Sequence, residues 1–166
     1  TAEPVLEEPL ADGHVRVSIR AAGMNFRDVL NVLDMVPVPW LGLELAGVVT
    51  EVGSAVTHLK VGQRVLGMGH ATFATTTVAD ARLVTPIPEQ LSFCEAATIP
   101  LVFLTAKYAL DDLGGMKSGE RVLIHAAAGG VGMAAAQLAL HRGAEVFGTA
   151  SAPKWGALRE LGLDDN

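Results

Sequence analysis

Ala126-Ala127-Ala128-Gly129-Gly130-Val131-Gly132 is the stretch on which the fold turns. It follows the apolar run Val122-Leu123-Ile124 and opens an apolar-periodic segment, Met133 to Arg142, an order that predicts strand, glycine-rich turn and helix. Glycine lets a backbone approach a pyrophosphate closely, and the helix N-terminus offers free N–H groups at its positive end. The run fits a G-x-G-x-x-G dinucleotide fingerprint, with Ala127 in the first glycine slot, Gly129 and Gly132 in the others, and Gly130 and Val131 between them. A second strand, Glu145 to Thr149, follows the helix, which ends at Gly143 in the C′ position.

The end of that second strand bears on the cofactor. A site for NAD places Asp or Glu about 20 residues past the first glycine, on the ribose 2′-hydroxyl. Here the chain reads Thr149-Ala150-Ser151-Ala152-Pro153-Lys154, with no acid. A carboxylate would repel a 2′-phosphate, whereas Ser151 can donate to one and Lys154 can neutralise it, so NADPH is expected over NADH. Ser151 also suits the cap of a following helix, Pro153 to Leu161, with Pro153 in its first turn.

Upstream, His14 to Arg20 alternates with period two and predicts a half-buried strand broken at Ala21-Ala22-Gly23. Asn25 to Leu33 has helical spacing, with Asn25 as its cap and Arg27–Asp28 as an exposed pair. Two prolines make Met35 to Trp40 irregular. Strands are expected at Val48–Val52, Arg64–Leu66, within 72–78 and within 82–86. Cys94 to Leu110 is helical, interrupted at Pro100; Thr105 there can bond back to its own helix, and Lys107 and Tyr108 belong to the helix surface and interlobe packing. The expected organisation is a β-rich lobe over residues 1–92 and the start of a dinucleotide-binding domain over 93–166. Only two of that domain's customary six or so strands are visible, so a fragment of a longer polypeptide is expected.

The 166 residues are 50% hydrophobic with a net charge of −6, which disfavours nonspecific nucleic-acid binding. The single cysteine, Cys94, excludes an internal disulfide and a multi-cysteine zinc site. No apolar run approaches the roughly 18 residues that span a bilayer. Thr1-Ala2-Glu3-Pro4 carries no basic segment, and Asp164-Asp165-Asn166 forms a polar end. A cytoplasmic protein is the expectation.

Ala21-Ala22-Gly23-Met24-Asn25-Phe26-Arg27-Asp28-Val29-Leu30, the glycine-rich run with His125, and Thr149-Ala150-Ser151 followed by Lys154-Trp155 together resemble the enoyl reductase domain of type I polyketide synthases and related fatty acid synthases. That group belongs to the zinc-free medium-chain dehydrogenases/reductases. The resemblance implies an α/β chain: a GroES-like β-rich substrate lobe followed by the first part of a Rossmann domain. It implies hydride transfer from NADPH to the β-carbon of a trans-2-enoyl thioester on an acyl carrier protein, then protonation of the α-carbon. It further implies neighbouring domains of the same synthase and a homodimer. Asn25 corresponds to a residue near the nicotinamide, and Thr105 to one close to the nicotinamide or the pyrophosphate. The zinc enzymes of the superfamily have cysteine where Asn25 stands and histidine where Leu43 stands, so no metal is expected; Glu44 alone cannot make such a site. Val36 occupies the place of a tyrosine associated with the face of α-protonation, and valine has no proton to give. The family's downstream lysine and aspartate fall beyond Asn166, so the catalytic residues stay unassigned and the fragment alone is expected to be inactive. Two other readings share these features: a zinc-free quinone oxidoreductase and a non-catalytic NADPH-binding domain.

Overall fold

The computed structural model describes residues 9–163, so Thr1-Ala2-Glu3-Pro4 and Asp164-Asp165-Asn166 lie outside the described residues. The chain divides into two compact units, one running through Pro100 and the next starting at Leu101. The expected change of lobe fell after residue 92. The short helix that follows packs on the first unit, with Ala96 and Ala97 buried against Ala46, Leu66 and Ile87.

The first unit is a five-stranded antiparallel sheet in the order β4-β1-β2-β3-β5. Its strands are β1 (His14–Gly23), β2 (Glu44–Val52), β3 (Arg64–Met68), β4 (Thr76–Asp80) and β5 (Val84–Pro86). The period-two pattern of β1 places Val15 and Val17 fully inside, where they meet Leu45, Val49 and Val65. Each such side chain contributes about 1.5–3 kcal/mol by leaving water. The strand does not break at Ala21-Ala22-Gly23 as expected: these residues pair with Ala46, Leu45 and Glu44 after an irregularity between Ile19 and Ala21. β2 correspondingly starts at Glu44, earlier than expected. Buried between β1 and β3, its first half reads as a continuous buried run, so alternation gives no sign of where it begins.

Helix α1 (Phe26–Val32) leaves β1 through Asn25. The apolar segment after Leu91 breaks into α2 (Phe93–Ala97), α3 (Pro100–Lys107) and a wide turn of helix over Tyr108–Leu113. At α2, Glu95 N–H donates to Ser92 Oγ at 3.2 Å while Glu95 Oε2 accepts Ser92 N–H at 2.8 Å.

The second unit carries β6 (Arg121–Ile124), α4 (Gly130–His141), β7 (Glu145–Gly148), a 3₁₀ turn at Ala152–Lys154 and α5 (Trp155–Glu160). β6 and β7 pair in parallel from Arg121↔Glu145 to Ile124↔Gly148. Alanines 134, 135 and 136 of α4 are buried against Ile124 and Leu158. Small side chains bring the helix close to the sheet. Gly143 ends the helical stretch at φ +77°, the left-handed conformation expected of it. No helix among the described residues is long and apolar enough to cross a membrane.

Candidate functional site

The turn between β6 and α4 is held from both sides. Thr149 N–H donates to Ile124 C=O at 3.0 Å and Ala127 N–H donates to Thr149 C=O at 2.9 Å, carrying the parallel ladder one step past both strands. Ala126 lies at φ +51°, and its C=O accepts Gly129 N–H at 2.8 Å. That backbone costs an alanine about 1–2 kcal/mol. The first i→i−4 bond of α4 runs from Met133 N–H to Gly129 C=O, so the N–H groups of Gly130, Val131 and Gly132 have no partner within the helix.

Close approach explains the bare positions. A Cβ on Gly132 would lie 2.3 Å from Ala126 O and 2.7 Å from Ala127 Cα, both backbone atoms. Ala127, in the first glycine slot, is fully buried. A Cβ on Gly148 would stand 2.8 Å from the Ala127 methyl. The methyl missing from β7 is therefore what makes room for the one at Ala127. Sequence reasoning missed Gly148, whose only signal is its place opposite the turn. The result is a cradle of N–H groups without helical partners, with no side chain at Gly129 or Gly130 and no Asp or Glu in the sequence from Arg121 through Ala144. Its donors and shape fit the pyrophosphate of a dinucleotide.

Beyond β7 the chain has no Asp or Glu from Val146 through Arg159. Ser151 and Lys154 are both exposed. Ser151 holds the N-cap position of the 3₁₀ turn without a side-chain capping bond. Trp155 Nε1–H donates to Ala150 C=O at 2.9 Å and ties this segment down. His125 Nδ1 and Thr149 Oγ1 lie 3.1 Å apart across the strand ends. In α3, Thr105 Oγ1–H donates to Leu101 C=O at 2.7 Å, a bond within its own helix. Lys107 pairs with Asp111 at 3.2 Å, and Tyr108 is exposed.

The first unit has a second polar constellation. Asn25 Nδ2–H donates to Glu44 Oε1 at 2.9 Å, and Glu44 is 2% exposed. The Glu44 side chain occupies the space that a Cβ on Gly23 would take, with Oε1 only 2.2 Å from that position. Arg27 and Asp28 are not the exposed pair expected. Asp28 is buried; its Oδ1 accepts Gly42 N–H and its Oδ2 accepts Asn25 N–H, at 2.9 and 2.8 Å. Arg27 instead lies over the Trp40 ring, 4.6 Å from its centroid. Two backbone donors that only a carboxylate can satisfy together turn Asp28 inward. Among the described residues no three His, Cys, Asp or Glu side chains gather as a metal-ligand set. Val36 is half-buried, and its C=O accepts Val38 N–H at 3.0 Å.

Residues 11–89 match the alcohol dehydrogenase GroES-like domain family. The pikromycin polyketide synthase component PikAII of Streptomyces venezuelae is 59% identical over 165 residues, covering 99% of this chain and 4% of that protein. The crystal structure of CurK enoyl reductase superposes with a TM-score of 0.90 at 41% identity, over 98% of this chain and 53% of that one. Escherichia coli quinone oxidoreductase complexed with NADPH superposes with a TM-score of 0.80 at 32% identity, over 96% of this chain and 51% of that one. The chain thus spans about half the length of the solved structures it matches and a small part of the synthase. The expected fold, a GroES-like β-rich lobe leading into the start of a Rossmann domain, is borne out.

Proposed function

We propose, for a chain that belongs to the enoyl reductase group of the medium-chain dehydrogenase/reductase superfamily, that it takes part in the NADPH-dependent reduction of a trans-2-enoyl thioester, borne on an acyl carrier protein, to the saturated acyl thioester. The observation that carries this reading is the N–H cradle at Gly130–Gly132, followed past β7 by Ser151 and Lys154 where an NAD site would have an acid. In this reading the cradle binds the pyrophosphate, and Ser151 and Lys154 bind the 2′-phosphate. The bound cofactor supplies the hydride. Asn25, its amide held by Glu44, is the candidate to line the nicotinamide end, with Thr105 as a second. Val36 has no proton to deliver to the α-carbon. The likeness to PikAII supports a setting within a polyketide synthase; the acyl carrier protein as partner and a dimeric synthase are part of the proposal.

Paired titrations with NADPH and NADH, read by nicotinamide fluorescence on a sample shown folded by circular dichroism, test the cofactor assignment. NADPH should bind at least about tenfold tighter than NADH, and Lys154→Glu should abolish that preference. Equal affinities, or a preference untouched by Lys154→Glu, would refute it. The likeness to a quinone oxidoreductase favours a second reading, reduction of a quinone. Competition between an enoyl-pantetheine thioester and a quinone, in a polypeptide extended downstream, decides between them. Cofactor binding with no turnover of either would leave a non-catalytic NADPH-binding domain.

A further inference from the structure

Ile124 and Gly148 are the last parallel pair, so His125 and Thr149 stand just past the carboxyl ends of both strands, where open parallel sheets bind ligands. His125 is exposed, and nothing in the core explains an imidazole there. Its Nδ1 is engaged by Thr149 Oγ1 at 3.1 Å. Thr149 Oγ1 also accepts Ala126 N–H at 3.4 Å. With one lone pair taken by that amide, the hydroxyl keeps its proton free to donate to Nδ1, and in that arrangement the neutral ring carries its own proton on Nε2. In the protonated ring Nε2–H is a donor as well. In both forms the ring offers a donor at Nε2, on the far side from Thr149. The surrounding segments carry no acid from His125 through Ala144 or from Val146 through Arg159, so the acceptor this donor suits is an anion.

We propose that His125 is a third group reading the 2′-phosphate of the cofactor, through Nε2–H, with Thr149 as the positioning residue that fixes the ring. This rests on the NADPH reading above and adds a specificity residue to it. Titration of the full chain with 2′,5′-ADP and with 5′-ADP isolates the 2′-phosphate from the pyrophosphate side. His125→Asn keeps a partner for Thr149 but has no group at the Nε2 position; His125→Gln restores an N–H there. The Asn variant should bind 2′,5′-ADP about tenfold more weakly with 5′-ADP unchanged, and the Gln variant should recover to within about threefold of wild type. Unchanged 5′-ADP binding also shows that the turn is intact. Equal loss for both ligands, or no loss for 2′,5′-ADP, overturns the role of His125 while the NADPH reading stands. A wild-type chain that does not prefer 2′,5′-ADP to 5′-ADP overturns the NADPH reading and this inference with it.

Discussion

Moving one methyl across the turn, Ala127→Gly combined with Gly148→Ala, gives a direct measure of how β7 shapes the glycine-rich run. Gly148→Ala alone would put two Cβ atoms 2.8 Å apart. Such overpacking costs about 1–3 kcal/mol, and relief of glycine's strand penalty returns about 0.5 kcal/mol. Ala127→Gly alone removes a wholly buried methyl. Lost burial is about 0.8 kcal/mol, and the extra freedom of an unfolded glycine adds about 0.5–1 kcal/mol. Independent effects would sum to about 3 kcal/mol. In the double variant the collision is gone, the vacated space is refilled and the glycine entropies cancel, so it should lie within about 1 kcal/mol of wild type. A coupling of about 2 kcal/mol is therefore expected. Urea denaturation of the four proteins reads it from the midpoints, provided the slopes agree. Additivity within about 0.5 kcal/mol would refute the complementarity of Ala127 and Gly148.

Gly132→Ala, aimed at backbone atoms only 2.3 and 2.7 Å away, should lose about 1–3 kcal/mol, whereas Gly130→Ala, which meets only the Val102 side chain at 3.3 Å, should be neutral or slightly stabilising. Equal denaturation midpoints for the two variants would discredit the close-approach account. Asp28→Ala leaves the N–H groups of Gly42 and Asn25 without their acceptor and should destabilise the first unit by about 2–3 kcal/mol, read by urea titration; a loss below about 0.5 kcal/mol would mean that water replaces the carboxylate. The side-chain hydrogen bond from Arg82, with that residue's N–H, holds Asp80 from the ordinary 3.8 down to about 2, and the Ser92 hydroxyl and N–H lower Glu95. Both folded values are depressed, so the stability these groups contribute is full above the ordinary carboxylate range and is lost as pH falls through their folded values. An Asp80 titration followed by carboxyl-carbon NMR should shift back towards 3.8 in Arg82→Ala; a wild-type midpoint already at 3.8 would contradict the pairing.

The βαβ unit was legible because three local signals coincide there: an apolar run, glycines at a turn, and helical periodicity ended by Gly143. The alternation of β1 was equally plain, since Val15 and Val17 face the core and their neighbours do not. What escaped was set by contacts distant in sequence. Ala21-Ala22-Gly23 looks like a breaker until Glu44 is seen filling the space beside Gly23. Asp28 reads as a surface charge until Gly42 N–H, 14 residues away, is found bonded to it. Gly148 carries meaning only through Ala127, in the turn that follows the neighbouring strand. Helical periodicity over Cys94 to Leu110, with its interruption at Pro100, matches the start of α3 there, but it cannot register the widening of the turn after Lys107.

The β6–β7 pair has a solution consequence. Among the described residues each strand has a partner on one side only. Leu123 and Phe147 are exposed, and a furrow of about 810 Å³ runs along β7 between Phe147, Trp155 and Leu163. Backbone donors and acceptors at such rims recruit strands from other molecules. Self-association of the isolated chain should rise with protein concentration, and it would compete with any ligand for the carboxyl ends of the strands. Affinities measured on it are meaningful only where a dilution series leaves them unchanged.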